Sequence, residues 1–283
     1  MSDGAPASPR TRTPVALTIA GSDSGGGAGI QADLKAFARC GVHGTSAITA
    51  ITAQNTVGVT AVHPVPGEIV LAQVRAVVSD IGVDAVKVGM LGTAEVTLAV
   101  AAALDELPPG TPVVVDPVMV SESGASLLDA DARHALVQEI LPRASVLTPN
   151  LPEARALVGR EPAAQEEEDG EAEALARALL RLGPRIVVLT GGHRARACDL
   201  FVDSAGDGPA VEIDGERHPD GAAHGSGCTH SSVLAAQLAL GHAPLDAART
   251  ARRIAGEAVA AGLRDVGAGA GPVDVLRISR WRA

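Results

Sequence analysis

Aromatic residues and lysines are almost absent from this 283-residue chain, and each absence excludes a class of function. Aromatic side chains make up 1% of the residues, with two Phe, one Trp and no Tyr. Of the 23 Lys and Arg residues only Lys35 and Lys87 are lysines, and the formal net charge is −10. Nucleic-acid binding uses basic side chains against phosphates and aromatic rings against bases. The composition therefore argues against a nucleic-acid partner, and lysine-dependent chemistry must use Lys35 or Lys87.

Cysteines are few, and no targeting or membrane segment is recognisable. Cys40, Cys198 and Cys228 are odd in number and widely spaced, which argues against a disulfide framework and favours a reducing compartment. No apolar run approaches the ~20 residues of a membrane-spanning helix. Residues 1–14 lack the apolar segment of a signal peptide. We expect a cytoplasmic protein with a disordered leader over residues 1–14 and a single domain over residues 15–283.

Short apolar runs alternate along the chain with longer amphipathic stretches. Strands are predicted at Val15–Ala20, Thr45–Thr52, Ala85–Gly89, Val113–Asp116, Val146–Thr148 and Ile186–Thr190. Helices are predicted at Ala28–Cys40, Glu68–Asp80, Thr93–Leu107, Asp129–Leu141, from Leu151, and at Glu171–Leu182, Ser226–Leu240 and Pro244–Leu263. Continuous Val/Ile strands separated by helices are typical of a parallel sheet covered on both faces. A turn-rich spacer within Asp199–Asp214 predicts a hairpin near the sheet edge.

The first strand is followed by a glycine-rich loop, Gly21–Gly29. Its spacing does not fit a dinucleotide fingerprint, and it does not end in the Gly-Lys-Ser/Thr of a P-loop. Five glycines in nine residues suit the close approach of backbone to a small ligand better than a plain turn. Asp33, one turn into the next helix, either points back toward that ligand or is a first-turn acid favoured by the helix dipole.

The sharpest motif is His224-Gly225-Ser226-Gly227-Cys228-Thr229, directly before an apolar helix. Backbone N–H groups of a glycine-rich turn and a helix N-terminus together form an anion site. A cysteine at this position is expected to have a lowered pKa and could serve as a base toward a substrate hydroxyl. Two alternatives stay open for Cys228, a small buried core residue or a nucleophile paired with His224.

Asn150 and Glu153 form an N-x-x-E pattern just after a predicted strand. At this spacing the two side chains share one face of the opening helix, where an amide and a carboxylate could hold hydrated Mg²⁺ against phosphates. A helix cap followed by a first-turn acid explains the pattern equally well. With two lysines in the chain, phosphate binding would depend on backbone amides, helix N-termini and Mg²⁺.

Taken in order, these motifs resemble the hydroxymethylpyrimidine/phosphomethylpyrimidine kinases of thiamine biosynthesis, within the ribokinase-like superfamily. The resemblance extends from about Ala16 to about Val275. It implies an α/β fold, a ribokinase-like three-layer sandwich with a mostly parallel central sheet and helices on both faces. The motifs that carry it are Ala16–Lys35, Ala53–Thr56, Lys87–Leu91, Asp116–Val120, Thr148–Ala154, Gly191–His193 and His224–Thr229.

The family resemblance implies a set of site residues and partners. The enzyme would phosphorylate 4-amino-5-hydroxymethyl-2-methylpyrimidine and then its monophosphate, using ATP and Mg²⁺, as a homodimer. Substrate-binding residues would be Gln54, Gly21, Asp33 and Met90. Catalytic residues would be Gly225, Ser226, Gly227 and Cys228, with Cys228 facing the reacting hydroxyl. Residues at the ATP end would be Asn150, Glu153, Thr190, Gly191 and Gly192, with Asn150 and Glu153 organising Mg²⁺ through water or phosphate.

The sequence departs from the family pattern on the nucleotide side. Thr190 stands where many members have Lys, and Ala222-Ala223 stand where many have Asn-Thr. Ser226 replaces a Thr and keeps the hydroxyl. These changes put nucleotide affinity and the choice of phosphoryl donor in question. Two other functions stay open, a pyridoxal or pyridoxine kinase of the same fold and a non-catalytic pyrimidine-binding protein.

Overall fold

The computed structural model describes residues 12–120, 124, 127–160, 169–191, 197–206, 208–219 and 221–281, and these form an alternating α/β chain. Its strands are β1 Val15–Ala20, β2 His43–Ile48, β3 Ala50–Asn55, β4 Gly58–Pro64, β5 Ala85–Val88, β6 Val113–Val115, β7 Val146–Leu147, β8 Ile186–Leu189, β9 Cys198–Asp203 and β10 Val211–Asp214. Its α-helices are α1 Gly29–Arg39, α2 Gly67–Asp80, α3 Ala94–Asp105, α4 Ala130–Ala135, α5 Leu151–Leu157, α6 Asp169–Leu180, α7 Ser226–Ala239 and α8 Pro244–Ala260.

A twisted eight-stranded sheet lies at the centre, in the order β10-β9-β8-β7-β6-β5-β1-β2. Strands β2, β1, β5, β6, β7 and β8 run parallel to one another. Strand β9 is antiparallel to β8, and β10 is antiparallel to β9. The mostly parallel sheet and the hairpin at its edge are both as the sequence predicts.

Helices cover both faces of this sheet, which explains the continuous apolar strands. On β6, Val113 and Val115 pack into one core with residues of α2, α3, α5 and α6. Val114 packs into a second core, with residues of α1, α7 and α8. Each strand residue therefore meets a helix whichever way it points, as in other parallel sheets. The predicted three-layer architecture is confirmed.

The chain from residue 43 to residue 64 differs from the prediction. A single strand was expected over Thr45–Thr52, but the chain turns at Thr49, and β3 leaves the main sheet to pair with β4 as a separate two-stranded sheet. The fully buried Thr49 fixes this junction, because its N–H donates to the Ala20 carbonyl (3.0 Å) and its hydroxyl to the Met90 carbonyl (2.6 Å). Gln54 consequently lies on a strand rather than in a loop.

The predicted helix Asp129–Leu141 is also interrupted. Regular α-helix ends at Ala135, and the chain continues as a π turn over Leu136–Ile140 and a 3₁₀ turn over Leu141–Arg143. In a regular α-helix Pro142 could not donate to the carbonyl of Gln138 and its ring would clash with that carbonyl, so the turn before Pro142 departs from α-helical geometry.

Two smaller findings concern the chain's N-terminal part and its helices. Residues 1–11 of the predicted leader lie outside the described residues, whereas the Arg12 guanidinium forms an ion pair with Asp84 at 2.9 Å. Among the described helices, none is long and apolar enough to cross a membrane. The assignment of residues 15–283 to one domain stays a prediction.

Candidate active site

A cavity of about 470 Å³ lies at the carboxyl ends of the parallel strands. This is where open α/β sheets bind ligands. Its wall is made largely of residues that directly follow strands, including Gly21 after β1, Asp116 after β6 and Thr190 after β8. The predicted site residues that line the cavity are Gly21, Gln54, Met90, Asn150, Glu153, Thr190, Gly191, Gly225, Ser226, Gly227 and Cys228.

The two remaining predicted site residues are Gly192 and Asp33. Gly192 and the neighbouring His193 lie outside the described residues. Asp33 is fully buried behind the cavity. Its carboxylate accepts hydrogen bonds from Thr18 Oγ1 (2.6 Å) and Ser232 Oγ (2.7 Å), and Lys87 Nζ lies 3.0 Å from both of its oxygens. Asp33 is therefore not placed to bind the substrate directly, because three internal partners already occupy its carboxylate.

Lys87 connects this buried network to the cavity. Its Nζ pairs with Asp33 and lies 3.9 Å from Asp116 Oδ2, which also accepts a hydrogen bond from Ser231 at 2.9 Å. Burial opposes the charged ammonium, but the two aspartates outweigh it and raise the pKa of Lys87 above its ordinary value. Lys87 is therefore a fixed positive charge inside the wall of the site.

Asp23 organises the glycine-rich loop, and sequence reasoning did not identify it. Its carboxylate accepts the backbone N–H groups of Gly25 (2.8 Å), Gly27 (3.0 Å) and Ala28 (2.8 Å). His224 Nε2 lies 3.0 Å from the same carboxylate. Burial by itself would raise the pKa of Asp23, but the hydrogen bonds from His224 and these amides hold it below its ordinary value.

The predicted anion site is the segment His224–Cys228, here called the anion loop. Gly225 has a backbone φ of +83°, in the left-handed region that favours glycine. The N–H of Ser226 is used within the turn, where it donates to the Ala223 carbonyl at 3.0 Å. The N–H groups of Gly227 and Cys228 belong to the first turn of α7, where no helical acceptor exists. These two amides and the helix dipole are the groups suited to an anion.

The pKa of Cys228 is opposite to the sequence-based expectation. Burial raises the pKa of the thiol to about 12, with Asp116 and Asp33 adding to the rise, and Lys87 only partly offsets it. The predicted lowering is wrong because a desolvated thiol next to two carboxylates disfavours the thiolate more than one ammonium and a helix N-terminus favour it.

Asn150 and Glu153 form a reciprocal helix cap at the start of α5. Asn150 Oδ1 accepts the Glu153 N–H, and Glu153 Oε2 accepts the Asn150 N–H, each at 2.9 Å. The capping alternative is thus realised, and the cap occupies the side-chain oxygen Oδ1 of Asn150. Burial, followed by the charge of Asp116, raises the pKa of Glu153 to about 8. Glu153 and Asp116 therefore repel each other across the cavity, which a divalent cation between them would relieve.

The far end of the cavity contains a buried ionic cluster that the sequence did not reveal. Asp199 is fully buried; its Oδ1 accepts the Gly191 N–H at 2.8 Å, and its Oδ2 lies 3.0 Å from His230 Nε2. Arg252 lies 3.6 Å from Asp199 and donates to the Ala197 carbonyl. No sequence spacing links these residues, which come from β9, α7 and α8. The cluster holds the Arg252 guanidinium at the end of the cavity where Thr190 lies, and Thr190 itself carries no charge.

The sheet order and the location of the cavity define the class of protein. A mostly parallel sheet between two helical layers, with a glycine-rich anion loop opening a helix at the strand ends, is a ribokinase-like kinase fold. A solved pyridoxal kinase from Staphylococcus aureus, in complex with AMP-PCP and pyridoxal, matches with a TM-score of 0.82 and 30% identity, over 95% of this chain and 96% of its own.

Sequence comparison identifies the family within that class. The phosphomethylpyrimidine kinase model matches residues 23–274. A hydroxymethylpyrimidine/phosphomethylpyrimidine kinase from Rhizobium meliloti (strain 1021) is 48% identical over 272 residues, covering 95% of this chain and 98% of the relative. A solved phosphomethylpyrimidine kinase from Clostridium difficile 630 is 39% identical, with a TM-score of 0.73, over 85% and 96% of the two chains. This chain therefore belongs to the hydroxymethylpyrimidine/phosphomethylpyrimidine kinase family of phosphotransferases in thiamine biosynthesis.

The comparisons also bear on the pyridoxal kinase alternative. The pyridoxal kinase from Staphylococcus aureus has the higher TM-score but the lower sequence identity. A TM-score reports backbone shape, which kinases for different substrates share, whereas pocket side chains follow sequence. The alternative is accordingly not favoured.

Proposed function

We propose that this kinase transfers the γ-phosphoryl group of ATP to 4-amino-5-hydroxymethyl-2-methylpyrimidine, and then a second phosphoryl group to the monophosphate. The observation that supports this most is the arrangement of one continuous cavity. Gln54, Gly21 and Met90 line it together with the anion loop and the Asp116–Glu153 pair. A flat polar ring and a triphosphate therefore have adjacent places in one enclosed space.

The acceptor ring is proposed to bind against Gln54, Gly21 and Met90. A Gln side-chain amide both donates and accepts hydrogen bonds, which suits an aminopyrimidine. The side-chain oxygen Oε1 of Gln54 accepts a long hydrogen bond from the Thr52 hydroxyl, at 3.3 Å. A Cβ at Gly21 would lie 3.1 Å from the Met90 sulfur, so the glycine allows close packing at this wall. No aromatic side chain is needed to hold the ring.

The transferred phosphoryl group is proposed to lie at the anion loop. The first-turn N–H groups of Gly227 and Cys228 would receive its oxygens. Asp116 and Glu153 fit a divalent cation, because both line the cavity and, after burial, the charge of Asp116 raises the pKa of Glu153. When bound there, Mg²⁺ would supply charge neutralisation for the ATP phosphates. Asn150 would contribute through the helix cap that orients Glu153.

Cys228 is proposed to accept the proton of the reacting hydroxyl. The hydroxymethyl oxygen forms the new bond to the γ-phosphorus as its O–H bond breaks, and the proton passes to the Cys228 sulfur in its thiolate form. The bond between the γ-phosphorus and the β,γ-bridging oxygen breaks, and ADP leaves with that electron pair. Lys87 is the nearby cation that favours this thiolate. Because the pKa of the thiol is high in the free enzyme, the thiolate is scarce there but strongly basic.

ATP is proposed as the phosphoryl donor, with its nucleoside part toward Thr190, Gly191 and Arg252. The related kinase from Staphylococcus aureus is described in complex with AMP-PCP, an ATP analogue. Gly191 packs against the Cys198 backbone, where a Cβ would not fit, and Arg252 offers a positive charge at this end. Gly192 is proposed to continue the same contact.

The experiment that tests the proposed function uses the purified protein with ATP, Mg²⁺ and the hydroxymethylpyrimidine. Monophosphate and then diphosphate should accumulate, and chromatography of the reaction mixture measures both products over time. Pyridoxal in a parallel reaction should give a much lower kcat/KM. Absence of turnover with both the free pyrimidine and its monophosphate would reject the proposal, and tight pyrimidine binding without turnover would favour a non-catalytic binding protein.

A homodimer is proposed on the basis of the β3–β4 hairpin. Its two-stranded sheet exposes Ile51 (56%) and Val62 (42%), with Val57 (60%) at its turn. Because Thr52 pairs with Val62, Ile51 and Val62 point to opposite faces of the hairpin, and each face offers an exposed apolar side chain to a second copy. Light scattering coupled to size-exclusion chromatography should give twice the chain mass, and a monomer would reject the proposal.

A further inference from the structure

Two glycine-rich segments from opposite ends of the chain touch at the active site. The first is the glycine loop, Gly21–Gly29, which follows β1. The second is the anion loop. A Cβ added to Gly225 would overlap the carbonyl oxygen of Gly27, and a Cβ added to Gly27 would overlap the His224 ring. The two backbones are therefore packed without room for a side chain between them.

One polar pair joins these loops across 201 positions of sequence. His224 Nε2 and Asp23 Oδ2 are 3.0 Å apart, and the two residues are 6% and 1% exposed. A hydrogen bond to a buried carboxylate is among the stronger kinds, and its loss leaves a desolvated group without a partner.

Each partner is anchored on its own side of the contact. Asp23 accepts three N–H groups of the glycine loop, as described above. His224 is fixed through its backbone, because its N–H donates to the Gly271 carbonyl (3.3 Å) and its carbonyl accepts the Val273 N–H (3.1 Å). A displacement of the anion loop would thus be transmitted through this pair to the glycine loop.

We propose that Asp23 and His224 are positioning residues that hold the pyrimidine-binding glycine loop in register with the anion loop. This proposal rests on the proposed function. Gly21 bounds the acceptor ring, and Cys228 bounds the reacting hydroxyl, so the Asp23–His224 pair sets the distance between acceptor and phosphoryl group. His224 Nε2 is directed at Asp23 rather than at Cys228.

The test compares His224→Ala, His224→Gln and a control, His242→Ala, on an exposed loop away from the cavity. Steady-state kinetics give kcat, and calorimetry gives the Kd and stoichiometry for the pyrimidine. In His224→Ala we expect kcat to fall about 10- to 100-fold, since small misplacements of reacting groups cost this much. The pyrimidine Kd and a stoichiometry near one should be kept, because Gln54 and Met90 are untouched. His224→Gln retains a donor near the ring Nε2 position and should recover most of kcat.

A second measurement does not depend on turnover. Amide hydrogen exchange of the segment containing Gly25, Gly27 and Ala28 should be faster in His224→Ala than in the wild type and in His242→Ala. Unchanged exchange, or a His224→Gln variant as impaired as His224→Ala, would overturn the positioning role. Loss of binding stoichiometry in step with kcat would show a merely structural role. A wild-type enzyme without turnover would instead reject the proposed function and leave the exchange comparison valid.

Discussion

Cys228 lies where the anion loop meets helix α7, and its proposed role as a base gives the first prediction. Cys228→Ala should lower kcat by about 10²–10⁴-fold, the usual contribution of a general base, while the pyrimidine Kd changes little. Because the thiolate is the active form and the pKa of the thiol is about 12 in the free enzyme, wild-type kcat/KM should rise with pH through the neutral and mildly alkaline range.

The measurement is the pH profile of kcat/KM for the wild type and Cys228→Ala, because kcat/KM reports the ionising groups of the free enzyme; kcat is measured at saturating substrates alongside it. Cys40→Ala is the matched control, since Cys40 lies at the end of α1 outside the cavity wall. Near-normal kcat in Cys228→Ala, or the same pH slope in both proteins, would show that Cys228 is not the base.

Gln54 is the side chain proposed to hydrogen-bond the edge of the pyrimidine ring. Its substitution should therefore affect substrate binding rather than the chemical step. Gln54→Ala should raise the pyrimidine Kd by about 10-fold or more, since a lost polar contact in a binding site costs roughly 1–3 kcal/mol. The kcat at saturation should change much less. Calorimetry with the free pyrimidine measures this directly, and an unchanged Kd would remove Gln54 from the substrate site.

Whole elements were predictable to the extent that their sequence signals are local. The strands β1, β5, β6, β7 and β8 appear as apolar runs because both of their faces are buried, and the residues following them mark the site. The β3–β4 hairpin was missed because it is defined by Thr49, whose hydroxyl bonds the Met90 carbonyl 41 positions away. The pairing of Asp23 with His224 and that of Asp33 with Lys87 were missed for the same reason, since 201 and 54 positions separate these partners.

The anion loop offers a prediction at the level of an element. Gly225→Ala should abolish measurable turnover and lower the melting temperature, because Gly225 has a φ of +83° and its new Cβ would overlap the Gly27 carbonyl. Gly110→Ala is the matched control. Gly110 has a φ of +84° but has open space at its Cβ position, so this variant carries the backbone strain without the collision.

Kinetics and thermal melting of the two variants separate these causes. Gly110→Ala should lose about 1 kcal/mol of stability or more from strain alone and keep kcat. If Gly225→Ala keeps kcat as well, the close packing of the two loops is not needed for catalysis.

At the scale of the whole molecule, the acidic cavity connects global stability to pH and to Mg²⁺. The pKa of Glu153 is raised to about 8 by burial and by Asp116, whereas in the unfolded chain it takes its ordinary value. At pH values between these two pKa values, Glu153 keeps its proton in the folded protein but has released it in the unfolded chain. The contribution of Glu153 to the free energy of unfolding is fully present below the pKa that Glu153 has in the unfolded chain, and it is lost as pH rises through about 8.

The melting temperature without metal should therefore fall as pH is raised from about 6 to about 8.5, and Mg²⁺ should raise it more at the upper pH, where Glu153 is ionised and can bind the cation. Glu153→Gln should remove much of the pH dependence and weaken the effect of Mg²⁺. Glu68→Gln, at an exposed position on α2, should behave as wild type. An Mg²⁺ effect equal at both pH values, or unchanged in Glu153→Gln, would place the cation elsewhere, because only a metal bound at Glu153 competes with this proton.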